Sequence, residues 1–236
     1  MSQVQPRVLV VQCLIGDFPL ANLYLNEFMP TVRSWANRMN YSYQLLDKKL
    51  FDFRCGAFEL IAQRFSFFCL YEEFDYLIYV DADIAVTKAA GSIPYVDFGA
   101  VIDAEGSANE VKDFFSFSEP YFNAGVFIVS SKMAKSLWGK ATDLMDGHYD
   151  QITHLPMADQ NLLNLWVEEI GLSYTALSNQ WNTMPHQLDW ANKANAFFVH
   201  YAGVKSIKSG IKSDYRFSYY YYRYLYKLKI LLKRFF

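Results

Sequence analysis

Cysteine is scarce in this chain: Cys13, Cys55 and Cys69 are the only three in 236 residues, and no pair has metal-site spacing. An odd, sparse set rules out a disulfide framework, and Cys13 and Cys69, set in apolar runs, read as core thiols of a reducing compartment. Nowhere do 18 uncharged apolar residues run together, so no segment reads as a membrane-spanning helix. Met1 to Pro6 is polar and the apolar run from Val8 to Val11 is short, so the expectation is no signal peptide and a cytoplasmic location. The 7 prolines and 11 glycines do not gather into a linker, and no internal repeat is visible. One domain over residues 1–210 and a tail over 211–236 is the expected organisation.

Net charge is also small, at −2, but it is unevenly spread. From Lys205 onward nine Lys/Arg face one acid, a balance of +8, which leaves −10 on the rest. A body that acidic would repel nucleic acid, and no nucleic-acid motif is present. With 53% hydrophobic and 18% aromatic residues the chain is no disordered polymer, and its length suits one α/β domain with a substantial core.

The stretch Tyr76-Leu-Ile-Tyr-Val-Asp81-Ala-Asp83 reads as a strand buried on both faces that ends on two carboxylates. Open α/β sheets bind ligands beyond the carboxyl ends of their strands. Paired hard oxygens at such a place suit Mg2+ or Mn2+. A polar strand end is the bland alternative, because D-x-D is short and common.

Upstream, Val8 to Cys13 reads as a first strand ending in a Gly16–Pro19 turn. Leu20 to Asn40 is helical in pattern, with Pro30 a kink or junction. Tyr41 to Leu46 is a second strand. Phe58, Ile61, Phe65 and Phe68 at helical spacing predict an amphipathic helix over 57–73. Strand, helix, strand, helix, strand predicts a mostly parallel sheet flanked by helices. Downstream, strands are expected at 98–103 and 122–129, helices at 133–145 and 159–170, and a last short strand at 196–200.

Several polar residues stand at the ends of these elements. Asp103 closes one strand, and Asn123-Ala124-Gly125 opens the next. Asn offers donor and acceptor to sugar hydroxyls, and glycine permits close approach. Asp159 opens a helix, where N-capping explains it simply; Gln160 is not required by a cap. His200 ends an apolar run and is followed by Gly203 and Lys205, which a phosphate-facing loop could use.

In this order the motifs resemble glycosyltransferase family 8, whose enzymes have the GT-A, Rossmann-like fold. The resemblance spans about Val8 to Lys205. It rests on Asp81-Ala-Asp83, on Arg64 located 17 residues earlier, on Asp103, and on Asn123-Ala-Gly125. It continues with Asp159-Gln160, Asn182-Thr-Met-Pro185 and the His200-x-x-Gly203 pair. One departure is clear: the family's H-x-x-G-x-x-K-P-W is not completed, because Lys205 comes a residue early, Lys208 two late, and Pro-Trp is missing.

The resemblance implies sugar transfer from a nucleotide donor, UDP-hexose by family default, to a glycan or lipid-linked acceptor with retention of configuration. It implies Mn2+ or Mg2+ on Asp81, Asp83 and His200, and Gln160 with Asp159 at the reacting centre. Arg64, Asp103, Asn123, Ala124 and Gly125 would bind the donor sugar, and Asp17, Phe18, Gly203 and Lys205 the nucleotide and its diphosphate. At 100° per residue the tail from Tyr215 to Phe236 has a basic face and an aromatic-apolar one, the pattern of a helix lying on an anionic membrane surface. Docking of that helix on the domain itself is the competing reading. Two other functions are open at this level: a nucleotidyltransferase making nucleotide sugars, against which the absence of a Gly-rich basic loop after the first strand speaks, and a non-catalytic glycan- or surface-binding module.

Overall fold

Strand β3 (Tyr76–Val80) divides two hydrophobic cores because its side chains alternate across the sheet. Leu77 and Tyr79 enter a core with Phe65, Phe67, Phe68, Leu137, Leu162 and Trp166. Ile78 and Val80 enter the other, with Val32, Trp35, Ala36, Trp181 and Phe198. Each fully enclosed Leu, Val or Phe contributes roughly 1.5–3 kcal/mol, so both sides of the sheet are held firmly. The computed structural model describes residues 5–103, 116–117, 120–184, 195–202 and, in the tail, 224, 225, 227, 229 and 230.

Among the described residues the main sheet has six strands in the order β2-β1-β3-β6-β5-β7. They are β1 (Val8–Cys13), β2 (Ser42–Leu46), β3, β5 (Phe98–Ile102), β6 (Phe122–Ser130) and β7 (Thr175–Ala176). Strand β1 pairs in parallel with β2 and β3, and β5 with β7, whereas β6 runs antiparallel to both β3 and β5. A second, two-stranded sheet pairs β4 (Ile84–Val86) antiparallel with β8 (Phe198–His200). Three longer helices cover the faces: α1 (Met29–Arg38), α2 (Ser131–Thr142) and α3 (Ala158–Glu169).

The expected helix over Leu20–Asn40 is three pieces: Ala21–Leu23, a π-helical turn Tyr24–Phe28, and α1. Pro30 falls in the first turn of α1, where a missing N–H costs no hydrogen bond. The segment expected as one amphipathic helix over 57–73 also differs. It is Gly56–Phe58 and Glu59–Ala62 followed by a long 3-10 helix, Gln63–Glu72, in which Gln63 through Phe68 are all buried. Its polar members tolerate enclosure because each has a partner. Gln63 accepts from the amides of Leu50 and Phe51 and donates to the Phe51 carbonyl, and Ser66 donates to the Gln63 carbonyl. Arg64 meets carboxylates described below.

The last strand is shorter than expected and pairs with β4, an unforeseen strand, instead of extending the main sheet. Cys55, not Cys13 or Cys69, is the fully buried thiol, and all three cysteines are free. Most of the tail lies outside the described residues. The five that are described are helical, and Lys229 pairs with Asp17 at 2.8 Å. Among the described residues no helix is long and apolar enough to cross a membrane.

Candidate active site

The turn after β3 carries Asp81 and Asp83 and is held by backbone bonds on both sides. The Asp81 amide donates to the Gly125 carbonyl at 2.8 Å, and the Tyr201 amide donates to the Asp83 carbonyl at 3.0 Å. Buried Gln12 on β1 donates to the Asp81 carbonyl and is itself fixed by the Tyr43 hydroxyl. In the β4–β8 ladder Ile84 lies opposite His200, so the second sheet carries the imidazole to the carboxylates. His200 Nε2 lies 3.2 Å from Asp83 Oδ1 and 3.7 Å from Asp81 Oδ2.

Arg64 reaches the same place from the 3-10 helix. Its Nη2 is 3.1 Å from Asp81 Oδ1 and donates to the Ala124 carbonyl at 2.6 Å, while Nη1 pairs with Asp159 Oδ2. The guanidinium lies 4.3 Å from the centroid of the Tyr79 ring. Asp159 is therefore no helix cap: Met157, in a left-handed conformation, occupies that position with no side-chain bond. Instead the first turn of α3 aims Asp159 at Arg64. Gln160, one residue on, accepts from the Ala124 amide at 3.1 Å and donates to Asp103 Oδ2 at 2.7 Å. Both backbone polar groups of Ala124 are thus taken, one by Gln160 and one by Arg64.

Burial and charge pull these groups in different directions. Burial pushes Asp81 up to about 6 despite the neighbouring Arg64. Burial would raise Asp83 as well, but the charge of His200 and its hydrogen bond take it below the usual carboxylate value. For His200 burial favours the neutral ring, and Asp83 outweighs it, so its pKa is raised. Arg64 is held above its usual value because Asp81 overcomes the cost of burial. Two carboxylates and an imidazole whose ligand atoms all lie within 4.8 Å of one another form a three-donor group. Oxygen, oxygen and imidazole nitrogen suit Mn2+ or Mg2+, and a cation would relieve the repulsion between the two carboxylates.

Two cavities of about 340 Å³ each meet at this group, and Arg64, Asp81, Asp83 and Asp159 line both. To that shared wall one adds Asp103, Asn123, Gln160 and His200, beside Met157 and Met184. The other adds Leu14, Ile15, Phe18, Tyr24, Leu60 and Ile61. Of the residues singled out from sequence, Arg64, Asp81, Asp83, Asp103, Asn123, Ala124, Gly125, Asp159, Gln160, His200 and Phe18 thus come together. Asp17 is not among the lining residues; it is half exposed and engaged by Lys229. Gly203 and Lys205 lie outside the described residues.

Sequence reasoning missed Tyr24, Leu60, Ile61 and Met157 in the cavity walls. It also gave Asn182 no task, although the Asn-x-Met-Pro motif marked it. Asn182 Oδ1 lies 2.8 Å from His200 Nδ1.

A sheet covered on both faces, with a carboxylate pair at the carboxyl end of a central strand, is the arrangement a GT-A, Rossmann-like fold requires, and solved glycosyltransferases share it. Residues 32–208 match the model of Glycosyl transferase family 8, and the chain belongs to that family of glycosyltransferases. Solved structures share the fold at low identity. A glycosyltransferase involved in glycosylation of the major capsid of PBCV-1 superposes with a TM-score of 0.57 at 13% identity, over 86% of this chain and 96% of that one. The galactosyltransferase LgtC, in complex with donor and acceptor sugar analogs, gives 0.52 at 17% over 83% and 87%. The bifunctional glycosyltransferase WbbM in its apo form gives 0.55 at 13% over 86% of this chain and 47% of that one. No curated protein matches the sequence at a significant level.

Proposed function

We propose that this glycosyltransferase moves a hexose from a nucleotide donor, a uridine diphosphate sugar, to a glycan or lipid-linked acceptor with retention of configuration. The observation that carries the reading is the position of the Asp81–Asp83–His200 group at the joint between a cavity that carries Asp103, Asn123 and Gln160 and one that carries Leu14, Ile15 and Phe18. A nucleotide sugar is built the same way: a flat base, a diphosphate, then a hydroxyl-rich ring. Leu14, Ile15 and Phe18 offer apolar contact for the base, while Asp103 and Asn123 offer hydrogen bonds to the sugar.

Asp81, Asp83 and His200 would hold Mn2+ or Mg2+. Such an ion supplies charge neutralisation for the departing nucleoside diphosphate. The protein's own groups supply orientation. Arg64 holds Asp81 and Asp159 in register, and its two Nη groups are spent on protein oxygens. Gln160 holds Asp103 in the wall it shares with Asn123 and adds no charge beside the reacting carbon. The carboxylates of Asp81 and Asp159 are both bound by Arg64, which disfavours either as a free nucleophile and supports front-face departure of the leaving group through an oxocarbenium-like transition state. The tail beyond residue 210 would rest on an anionic membrane face, bringing a lipid-linked acceptor close; the Lys229–Asp17 pair favours the competing reading, a tail docked on the domain.

The test is incubation with Mn2+ and a panel of nucleotide sugars, reading the nucleoside diphosphate released. UDP release from one uridine donor, lost on chelation and in Asp83→Asn, is expected. Pyrophosphate exchange instead would make the protein a nucleotidyltransferase, and neither product would leave a binding module. Gln160→Ala should slow turnover with nucleotide affinity retained; weakened nucleotide affinity alone would remove it from the sugar site.

A further inference from the structure

The hydrogen bonds behind His200 run in one direction, and a backbone amide sets that direction. Gly125 N–H can only donate, and it donates to Asn123 Oδ1 at 2.8 Å. The atom it meets must therefore be the amide oxygen of Asn123, since an NH2 group offers no acceptor. Asn182 approaches the same oxygen at 2.7 Å, so it must present its Nδ2 there. Its Oδ1 is then turned to His200 Nδ1 at 2.8 Å, and that nitrogen must carry a proton. Nε2 is left for the Asp81–Asp83 side, where it donates to Asp83 while the ring is charged and offers a lone pair once that proton leaves.

We infer that Asn182 is a positioning residue that holds His200 in the Nδ1–H tautomer, with Nε2 presented to the cation, and that the Gly125 amide dictates this through Asn123. The inference rests on the metal site proposed above for its consequence, though not for its geometry. A histidine ligand is commonly fixed in this way by a partner on its other nitrogen, and removing the partner weakens metal binding about 10–100-fold. Here the partner is itself rigidly placed. The His200 amide donates to the Thr183 carbonyl and the Thr183 amide to the Phe198 carbonyl, both at 2.9 Å, so the segment carrying Asn182 is tied backbone to backbone to the strand carrying His200. Asn182, Asn123 and His200 are all nearly fully buried, which keeps water from substituting for any link. A second consequence concerns Asn123. Its oxygen is already used twice, so what it can offer a sugar is its NH2 group, a donor.

The experiment combines Mn2+ titration, followed by electron paramagnetic resonance of the free ion, with 15N spectra of the histidine rings in the metal-free protein. In the unmodified protein His200 Nδ1 should be protonated throughout the pH range tested. Asn182→Ala should bind Mn2+ about 10–100-fold more weakly and show Nδ1 losing its proton as pH rises. Asn182→Asp keeps an acceptor for Nδ1–H but gives up the bond to Asn123 Oδ1, so it should retain the tautomer and recover part of the affinity relative to alanine; Asn182→Leu, similar in shape and without a polar atom, serves in place of alanine if that variant fails to fold. A bare Nδ1 in the unmodified protein, or an alanine variant with ring spectrum and affinity unchanged, overturns the inference. Unmodified protein that shows protonated Nδ1 but binds no Mn2+ would instead overturn the metal site and leave the relay standing.

Discussion

Gly125→Ala isolates the geometry on which the site depends. A methyl group built at residue 125 would lie 2.3 Å from His200 Cε1, 2.7 Å from its Nδ1 and 2.9 Å from Asn123 Oδ1. Carbon atoms rest about 3.5–4.0 Å apart, so the ring must retreat by at least roughly 1.2 Å from the present 2.3 Å. It has no room to do so cheaply, because His200 sits in β8 with only 3% of its surface exposed. Forcing an extra carbon into such packing costs about 1–3 kcal/mol. For a domain of this size that lowers the melting temperature by roughly 2–12 °C. The effect on function should be larger than the effect on folding, since a ring displaced that far no longer aims Nε2 at the ion. Mn2+ affinity should fall at least as far as on loss of a ligand's positioning partner, about 10–100-fold. Scanning calorimetry and Mn2+ titration on the same preparation check both numbers. A variant that melts and binds Mn2+ as the parent does would refute the close packing of residue 125 on the imidazole.

Other perturbations reach different parts of the site. Arg64→Met leaves Asp81 and Asp159 without their shared cation; breaking a buried pair costs about 3–5 kcal/mol, less here because both carboxylates keep some solvent access. Added Mn2+ should stabilise that variant more than the parent in a thermal-shift assay, and equal gains would separate Arg64 from the metal site. Mn2+ affinity should fall with pH, because protonated His200 and Asp81 cannot ligate. His200 titrates above 6.5 and Asp81 at about 6, so the loss should begin above pH 6.5 and continue through 6 as the pH is lowered, as read by calorimetric titration. A flat profile from pH 8 to 5 would exclude both as ligands. Deleting residues 215–236 should reduce sedimentation with anionic vesicles and leave donor hydrolysis in solution unchanged; undiminished vesicle binding would dismiss the membrane reading of the tail.

What the chain announces on its own is local. The apolar run before Asp81, the burial of both its faces and the position of two carboxylates at its end follow from residue order, because a strand's period and a sheet's ligand edge are short-range rules. The motif series identified the family for the same reason. Tertiary structure decided the rest. That Asp159 pairs with Arg64 and does not cap its helix depends on two elements 95 residues apart meeting under the sheet. The 3-10 form and full enclosure of Gln63–Phe68 depend on partners the segment finds elsewhere. His200 reaches the carboxylates only because β8 leaves the main sheet and pairs with β4, in a register that one residue's slip would turn to the opposite face. Asn182 becomes informative only when Gly125, Asn123 and His200 stand around it, since the direction of a hydrogen-bond relay is a property of the assembled group and of no single residue.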